Sequence, residues 1–569
     1  MNTKKLLPLL LFLVLSQTNF AQNCGEPQSQ FEIEGANLKA RILNAGDLFS
    51  DLSDGQFIPN PGPIGSINPT TIYAAGLWMG GLDSGGNLRL AAASYRSDGN
   101  DFFTGPLDPA TGSTDDFTCS NWDRHFFVTG AEIAAFLNNP PQNASELISQ
   151  YPGIARWPGR GNPYFAGQWG FDLPFTTQAL APFYDADNNG AYNPLSGDYP
   201  VVQLRGQPFF VPDQLVWCIF NDAGGFHSNT NGAAFNTEIQ LTVWTFDCSD
   251  EAFLPVLNNT VFTSHKIIAR GAERVDSVFI GIWTDVDLGC YEDDYVGCNP
   301  DLHTMFAYNQ DAVDGQPGTF CAGGVPTFGQ TPPVQSVTFL SHSLDKFIPY
   351  NNTGAAVPPG TTDPNTPAEY YNYLSGSWKD GSPLTDAPNG YSAGNPVDHL
   401  YPSDPADPAG WSMCTANLPG GDRRMLGNIS IGSLEPGQIE EINVAWAFHP
   451  NPELPCGLGS TFSDVQTLRA TYEGGFQDVC SIVKAPDLPA DSLKLFPNPT
   501  ADIAILKYGK IIPTALRAYD AAGRLVMEKN GNFEKEETRI QTGSLASGIY
   551  TLQIVTPQGT AIKKLTVMR

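Results

Sequence analysis

Basic residues are scarce in this sequence: 30 Lys and Arg face 59 Asp and Glu, a formal net charge of −29 over 569 residues. The deficit is concentrated in residues 22–490, which hold only 5 Lys and carry a net charge of −35. Such a surface repels phosphate backbones and argues against nucleic-acid binding. The 7 histidines are scattered, with no HExxH motif and no close pair, so a zinc hydrolase of that type has no ligands here. No CxxC pair occurs among the 10 cysteines, which removes a zinc ribbon. Apart from the N-terminal run, no apolar stretch is long enough to span a bilayer. No repeat of propeller or solenoid length is visible.

Glycine and proline are abundant instead, at 57 and 47 residues. They punctuate short β-branched and aromatic runs: "TIYAAGLWM", "LVWCIF", "EIQLTVWTF", "VFTSHKIIA", "VDSVFIGIWT", "SVTFLS" and "EEINVAWAF". These read as strands joined by long structured loops. Helices are few. "TGAEIAAFL" begins with Thr129 as N-cap and Glu132 three residues on, a capping-box spacing. "FSDVQTLRATYEG" has helical periodicity and stops at Gly474. Glu435-Pro436-Gly437 is a turn between two strands. The fold class expected is mainly β: a large, loop-rich body, one unit or two packed β-domains, and a small C-terminal immunoglobulin-like β-sandwich.

The chain opens "MNTKKLLPLLLFLVLSQTNFAQNC", with Lys4 and Lys5 before an apolar run from Leu6 to Leu15. This is an export signal over residues 1–21, with cleavage after Ala21 leaving Gln22 first. Gln22 and Asn23 before Cys24 make a poor lipobox. The cysteines, all between Cys24 and Cys480, are even in number, which in an exported chain favours disulfides. The stretch "CYEDDYVGC" suggests a Cys290–Cys298 bridge across a tight loop. The acidic body spans 22–484, a linker 485–491, and a differently composed segment 492–569. Residues 491–569 reverse the charge balance, with 11 Lys and Arg against 7 Asp and Glu.

That last segment carries four ordered motifs: Phe496-Pro497-Asn498-Pro499, "YDAAGRLV" with Asp520 and Gly523, "LASGIYTLQI" with Gly548 and Tyr550, and a basic ending with Lys563 and Lys564. Together they resemble the type A C-terminal sorting domain of the type IX (Por) secretion system. The resemblance implies passage through the periplasm of a Gram-negative bacterium and recognition by the outer-membrane translocon. It also implies removal of the domain by a sortase-like surface protease, with the cargo released or attached to the cell surface. The stretch from Pro486 to Ser492 is the expected cut region. The body, through "YAAGLWMGGLDSGGNLRLAAASYRSDGNDFFTGPLDP", "APFYDADNNGAYNPLSGDYP", "DVDLGCYEDDYVGC" and "GGDRRMLGNISIGSLEPGQ", resembles a recurrent cargo type of that system. That second resemblance supplies no catalytic residues.

"FYDADNNGAYNPLSGDYP" sets Asp185, Asp187 and Asn189 at positions 1, 3 and 5 and Gly190 at position 6. A hard cation wants that arrangement, with the Ala191 carbonyl at position 7. An EF-hand is excluded, because position 12 is Ser196 and Pro194, Gly197 and Pro200 forbid an exiting helix. Asp198 can close the shell instead, giving a calcium-type loop with calcium as the expected cofactor. A second, weaker cation candidate is Asp285, Asp287, Asp293 and Asp294. On a continuing strand, Asp285 and Asp287 face the same side.

Other chemistry is thin. "GYSAG" at 390–394 matches a nucleophile elbow, but neither a strand before it nor a helix after it is credible. His399 and Asp404 nearby do not rescue it. Arg423-Arg424 reads as balancing neighbouring carboxylates. Trp78, Trp122, Trp157 and Trp169 can form a sugar platform, though a core role explains them better. The expected function is a secreted or surface-displayed, calcium-stabilised adhesion, matrix or polymer-binding protein, with an extracellular polysaccharide or protein as ligand. The alternative is an extracellular hydrolase of glycans or proteins, with acidic residues carrying the chemistry.

Overall fold

The computed structural model describes residues 24–568 apart from 52–53, 64–65, 175–179, 249–253, 316–320, 322–323, 451, 478, 480–482, 485–492, 510, 520–524, 532 and 557–558. The export signal, the linker, Asp520 and Gly523 therefore lie outside the described residues.

The body is built on two nine-stranded antiparallel sheets. The first runs through Ala74–Asp83, Val275–Val286, Arg423–Leu434 and Lys346–Asn351 at its centre and one edge. The second runs Asp294–Asn299, Thr304–Asn309, Val334–Phe339, Ile439–His449, Thr260–Ala269, Thr237–Thr245 and Gln214–Asn221. One hydrophobic core draws on both sheets, joining Leu77, Ile280 and Ile282 of the first to Leu241, Val261 and Ile267 of the second. Phe49 meets Trp446 edge-on at 5.0 Å between ring centres within that core.

The second sheet is covered on its other face as well. Along Gln214–Asn221, Val216, Cys218 and Phe220 enter the inter-sheet core, while Leu215, Trp217 and Ile219 join a second core. That second core is closed by Trp122, Ile133, Phe136, Leu147, Ile154 and Trp157 from short helices and adjoining loops. A strand buried on both faces gains nothing from polar alternation, which is why "LVWCIF" reads as a continuous apolar run.

Neighbours in sequence often belong to different sheets. Glu435–Gln438 is a turn, closed by Gln438 N–H to Glu435 carbonyl at 2.9 Å, with Gly437 at a φ of +79° that favours glycine. It joins Arg423–Leu434 of the first sheet to Ile439–His449 of the second, so it turns a sandwich corner instead of closing a hairpin. The helix Gly130–Asn138 is capped by Thr129, whose hydroxyl accepts from Glu132 N–H at 3.1 Å. Glu132 does not return the bond; its carboxylate accepts from Gly153 and Ile154 N–H groups. The helix Thr461–Glu473 ends before Gly474 as the periodicity predicts.

Disulfides join Cys24 to Cys119, Cys290 to Cys321 and Cys414 to Cys456, and Cys248 is also oxidised. The Cys290–Cys298 bridge expected from sequence is thus wrong. Residues Asp294–Asn299 form a strand paired with Thr304–Asn309 and not a tight loop. At about 3.3 Å per residue, that strand carries Cys298 roughly 13 Å beyond Asp294. Cys298 ends as a buried free thiol against the Leu400 carbonyl, while the Cys290 and Cys321 Cα atoms stand 5.1 Å apart. Cys218 is also a buried free thiol.

The C-terminal unit sets a three-stranded sheet (Lys494–Phe496, Ile503–Gly509, Glu536–Gln541) beside a four-stranded one (Ala515–Tyr519, Leu525–Asn530, Gly548–Thr556, Gly559–Val567). Leu493, Leu506, Leu516, Ile540, Leu552 and Leu565 share its core. Asn498 ties its first motif to its last: the side chain donates to the Lys564 carbonyl at 2.5 Å and accepts from Thr566 N–H at 2.8 Å. Tyr550 is buried and donates to the Ala546 carbonyl at 2.8 Å. Arg517 reaches the body, donating to the Gly206 carbonyl at 3.0 Å while pairing with Glu528 at 2.9 Å.

Candidate functional site

A cavity of about 590 Å³ opens at one end of the first sheet. Its centre is built by register. Asp285 stands opposite Arg424 on one neighbouring strand and Ala74 on the other, and Arg424 stands opposite Tyr350 on the next. Strand alternation puts Trp283 and Asp285 on one face, with Asp287 continuing the series beyond the last paired residue. Trp283 donates its indole N–H to the Tyr350 hydroxyl at 2.6 Å and lies parallel to Trp78 at 6.1 Å.

Tyr95 donates its hydroxyl hydrogen to Asp285 Oδ2 at 2.5 Å and accepts from Arg424 Nη2 at 2.7 Å. Arg424 also lies 3.5 Å from Asp285 Oδ2 and 3.6 Å from Asp363 Oδ1, and it pairs with Asp422 Oδ1. Asn352 donates to the other Asp422 oxygen at 2.6 Å. Asp285 Oδ1 has no partner among the described residues, although the residue is only 3% exposed. Burial pushes the Asp285 carboxyl up to about 7 against the opposing pull of Arg424. Asp287 is raised well above the usual carboxylate range, first by loss of water and then by the charges of Asp285 and Asp422.

The walls are aromatic. Tyr73, Tyr95 and Tyr291 are half-buried and line the opening, while Trp78 and Trp283 are sealed behind them. Five aspartates line the cavity, Asp98, Asp285, Asp287, Asp363 and Asp422, against one basic side chain, Arg424. An anionic ligand is disfavoured there; a neutral, hydroxyl-rich or cationic one is not.

The four acidic residues grouped from sequence separate in space. Oxygens of Asp285 and Asp287 lie within 4.8 Å of each other and of Asp422, whereas Asp293 falls with Asp314 and the disulfide-bonded Cys290. Asp294 is fully buried, accepting from Leu288 N–H at 3.1 Å. The cause is topological: between Val286 and Asp294 the chain passes from the first sheet to the second. Sequence reasoning missed Asp422, Asp363 and Tyr95. Only Asp422 had a signal, its adjacency to the Arg pair, and Arg424 does balance carboxylates as expected.

The loop from Asp185 to Asp198 keeps its expected cluster. Oxygens of Asp185, Asp187 and Asp198 lie within 4.8 Å of one another, and Gly190 has a φ of +74°. Backbone N–H groups serve them: Gly190 and Asn189 donate to Asp185, Asn189 to Asp187, and Ala186 and Asn193 to Asp198. Ala191 N–H donates to the Asn189 side-chain oxygen at 2.7 Å. Arg160 donates to the Gly190 carbonyl beside this loop.

The remaining candidates resolve as structure. Ser392 of "GYSAG" sits in a loop with its hydroxyl bound to Asn389 at 3.1 Å, and His399 contacts the Leu344 carbonyl. Trp122 and Trp157 belong to the second core, and Trp169 is half-buried with the Arg124 guanidinium 4.8 Å above it.

Residues 494–568 match the family model described as the secretion system C-terminal sorting domain. The chain is therefore cargo of that secretion system, exported to the cell surface or the extracellular space of a Gram-negative bacterium. Among the described residues no helix is long and apolar enough to cross a membrane. No curated protein matches the chain. Solved structures with some likeness include a polysaccharide lyase, at 7% identity and a TM-score of 0.18 over 58% of this chain. The chain spans only 34% of that lyase's length. A GalM/aldose epimerase homologue from C. elegans is 9% identical, with a TM-score of 0.21 over 74% of this chain and 100% of that one. Scores this low bear on neither fold nor activity.

Proposed function

We propose that the exported body binds an extracellular carbohydrate in the tyrosine-lined acidic cavity, serving adhesion or matrix building at the cell surface. One observation carries this reading: half-buried Tyr73, Tyr95 and Tyr291 surround hydrogen-bonding carboxylates in a space of about 590 Å³. Aromatic faces take the C–H faces of sugar rings, and convergent carboxylates take hydroxyls, a pairing typical of small polar-ligand pockets. The Asp185–Asp198 loop holds calcium and stabilises the body, its short carboxylates suited to extracellular calcium concentrations. The tail engages the translocon and the sortase-like protease.

A hydrolytic reading is favoured by Asp285 and Asp287, whose raised carboxyls can supply an acid near neutral pH. One feature weighs against it: Asp285 is committed to Tyr95 and Arg424. Oxygens within 4.8 Å leave no room for the water of an inverting pair, whose carboxyls stand about 6.5–9.5 Å apart, so a hydrolytic reading is confined to the retaining geometry.

Screening the exported protein on a glycan array, followed by calorimetry of the best ligand, tests the proposal. Binding that falls for Tyr291→Ala, without release of new reducing ends, supports it. Binding unaffected by Tyr291→Ala and Asp287→Asn rejects the cavity, and release of reducing ends favours hydrolysis.

A further inference from the structure

We propose that Asp285, Asp287 and Asp422 form a calcium site in the cavity, through which hydroxyl groups of the ligand are held. The ligand half of this inference rests on the carbohydrate reading; the cation half does not.

The three carboxylates come from two strand ends that the sheet register brings together, and their oxygens lie within 4.8 Å of one another. Two oxygens bound to one calcium stand at most about 4.6–5.2 Å apart, so carboxylate oxygens within 4.8 Å of one another can all reach a single calcium. A second, independent observation points to a missing ligand. Asp285 is 3% exposed, yet its Oδ1 accepts no hydrogen bond, while Oδ2 is bound by Tyr95 and Arg424. A buried carboxylate oxygen left unpaired has lost its hydration with nothing in exchange. A cation at that oxygen makes good the loss.

Charge points the same way. Arg424 contacts Asp285, Asp363 and Asp422, one positive group among five lining aspartates. Among the described residues no hydrogen bond or ion pair engages the Asp287 carboxylate, which is half-buried at the same point. The Asp185 loop differs, because backbone N–H groups already serve its carboxylates. Three carboxylates supply three to six of the six to eight oxygens calcium takes, so open positions remain for water or a vicinal diol.

The test separates metal from ligand. Calcium is titrated by calorimetry into the full exported chain carrying Asp185→Asn and Asp187→Ala, which disables the other loop. One calcium equivalent should remain, and Asp287→Asn or Asp422→Asn should weaken it at least about tenfold. Circular dichroism confirms that each variant folds, and Asp287→Asn breaks no internal bond. Terbium luminescence excited through tryptophan reads the same site in the unmodified chain, and its loss on Asp287→Asn supports the assignment. Calcium binding unchanged by both Asn substitutions overturns the site. Glycan binding that survives a calcium chelator overturns the bridging role and leaves the carbohydrate reading standing. Cation binding with no glycan bound by any array feature keeps the calcium site and overturns the carbohydrate reading together with the bridging role.

Discussion

Tyr95 gives its hydroxyl hydrogen to Asp285 across 190 residues of sequence, and Arg424 clamps the pair from the neighbouring strand. Tyr95→Phe removes the donor from an oxygen that is nearly sealed from water. Stability should drop by about 1–3 kcal/mol, read as a lower urea midpoint with an unchanged slope. Asp285→Asn should cost less in the Tyr95→Phe background than alone, because the two groups share one bond. Additive effects in that double-mutant cycle would show the contact to be idle.

Calcium at the Asp185–Asp198 loop should be visible as linkage. At roughly 1 mM calcium and a dissociation constant near 10⁻⁴ M, binding adds about 1.4 kcal/mol. Chelation should lower the melting temperature, with calcium restoring it better than magnesium. The Asp185→Asn, Asp187→Ala variant should lose that share of the response. Identical responses of variant and wild type in calorimetry would leave the loop as a series of backbone-closed turns.

His265 lies on the face of Thr260–Ala269 that packs against the first sheet, 1% exposed among Val261 and Ile267. Burial lowers its imidazole from 6.5 to about 4. A folded-state value below the unfolded one means the stabilisation is whole above about pH 6.5 and is lost as pH falls toward 4, by up to about 3 kcal/mol. His265→Leu should flatten that part of the acid limb in urea titrations at pH 4 to 7. An unchanged limb would assign acid sensitivity to other groups.

Alkylating the denatured, unreduced protein should label Cys218 and Cys298, both free thiols buried in the fold. Peptide mapping should recover Cys290 joined to Cys321. A Cys290–Cys298 peptide would contradict the strand assignment of residues 294–299.

Deleting residues 491–569 should trap the body in the periplasm, since the matched sorting domain is removed. Asn498→Ala cuts both side-chain hydrogen bonds that Asn498 makes to the last strand and should cost the domain about 1 kcal/mol. The exported fraction, measured by immunoblot of medium and periplasm, should fall. Full export of the deletion variant would remove the tail from the route.

Address and class were local properties, and the sequence by itself determined them. Phe496–Pro499 and the basic ending are contiguous motifs, and β-branched runs between Gly and Pro signals specify strands from nearest neighbours. The clustering of Asp185, Asp187 and Asp198 was equally legible, because these carboxylates fall within fourteen positions. Which strands share a sheet was not local, and that decided the rest. Glu435–Gly437 reads from sequence as a turn between two strands, and only the structure places those strands in different sheets, while the chain between Val286 and Asp294 also crosses from one sheet to the other. That crossing parts Asp294 from Asp285, breaks the expected Cys290–Cys298 pair, and leaves Asp285 beside Arg424, Tyr95 and Asp422. A strand's partners are chosen by the burial of whole faces, which sums over distant segments, so only the tertiary structure could assemble the cavity.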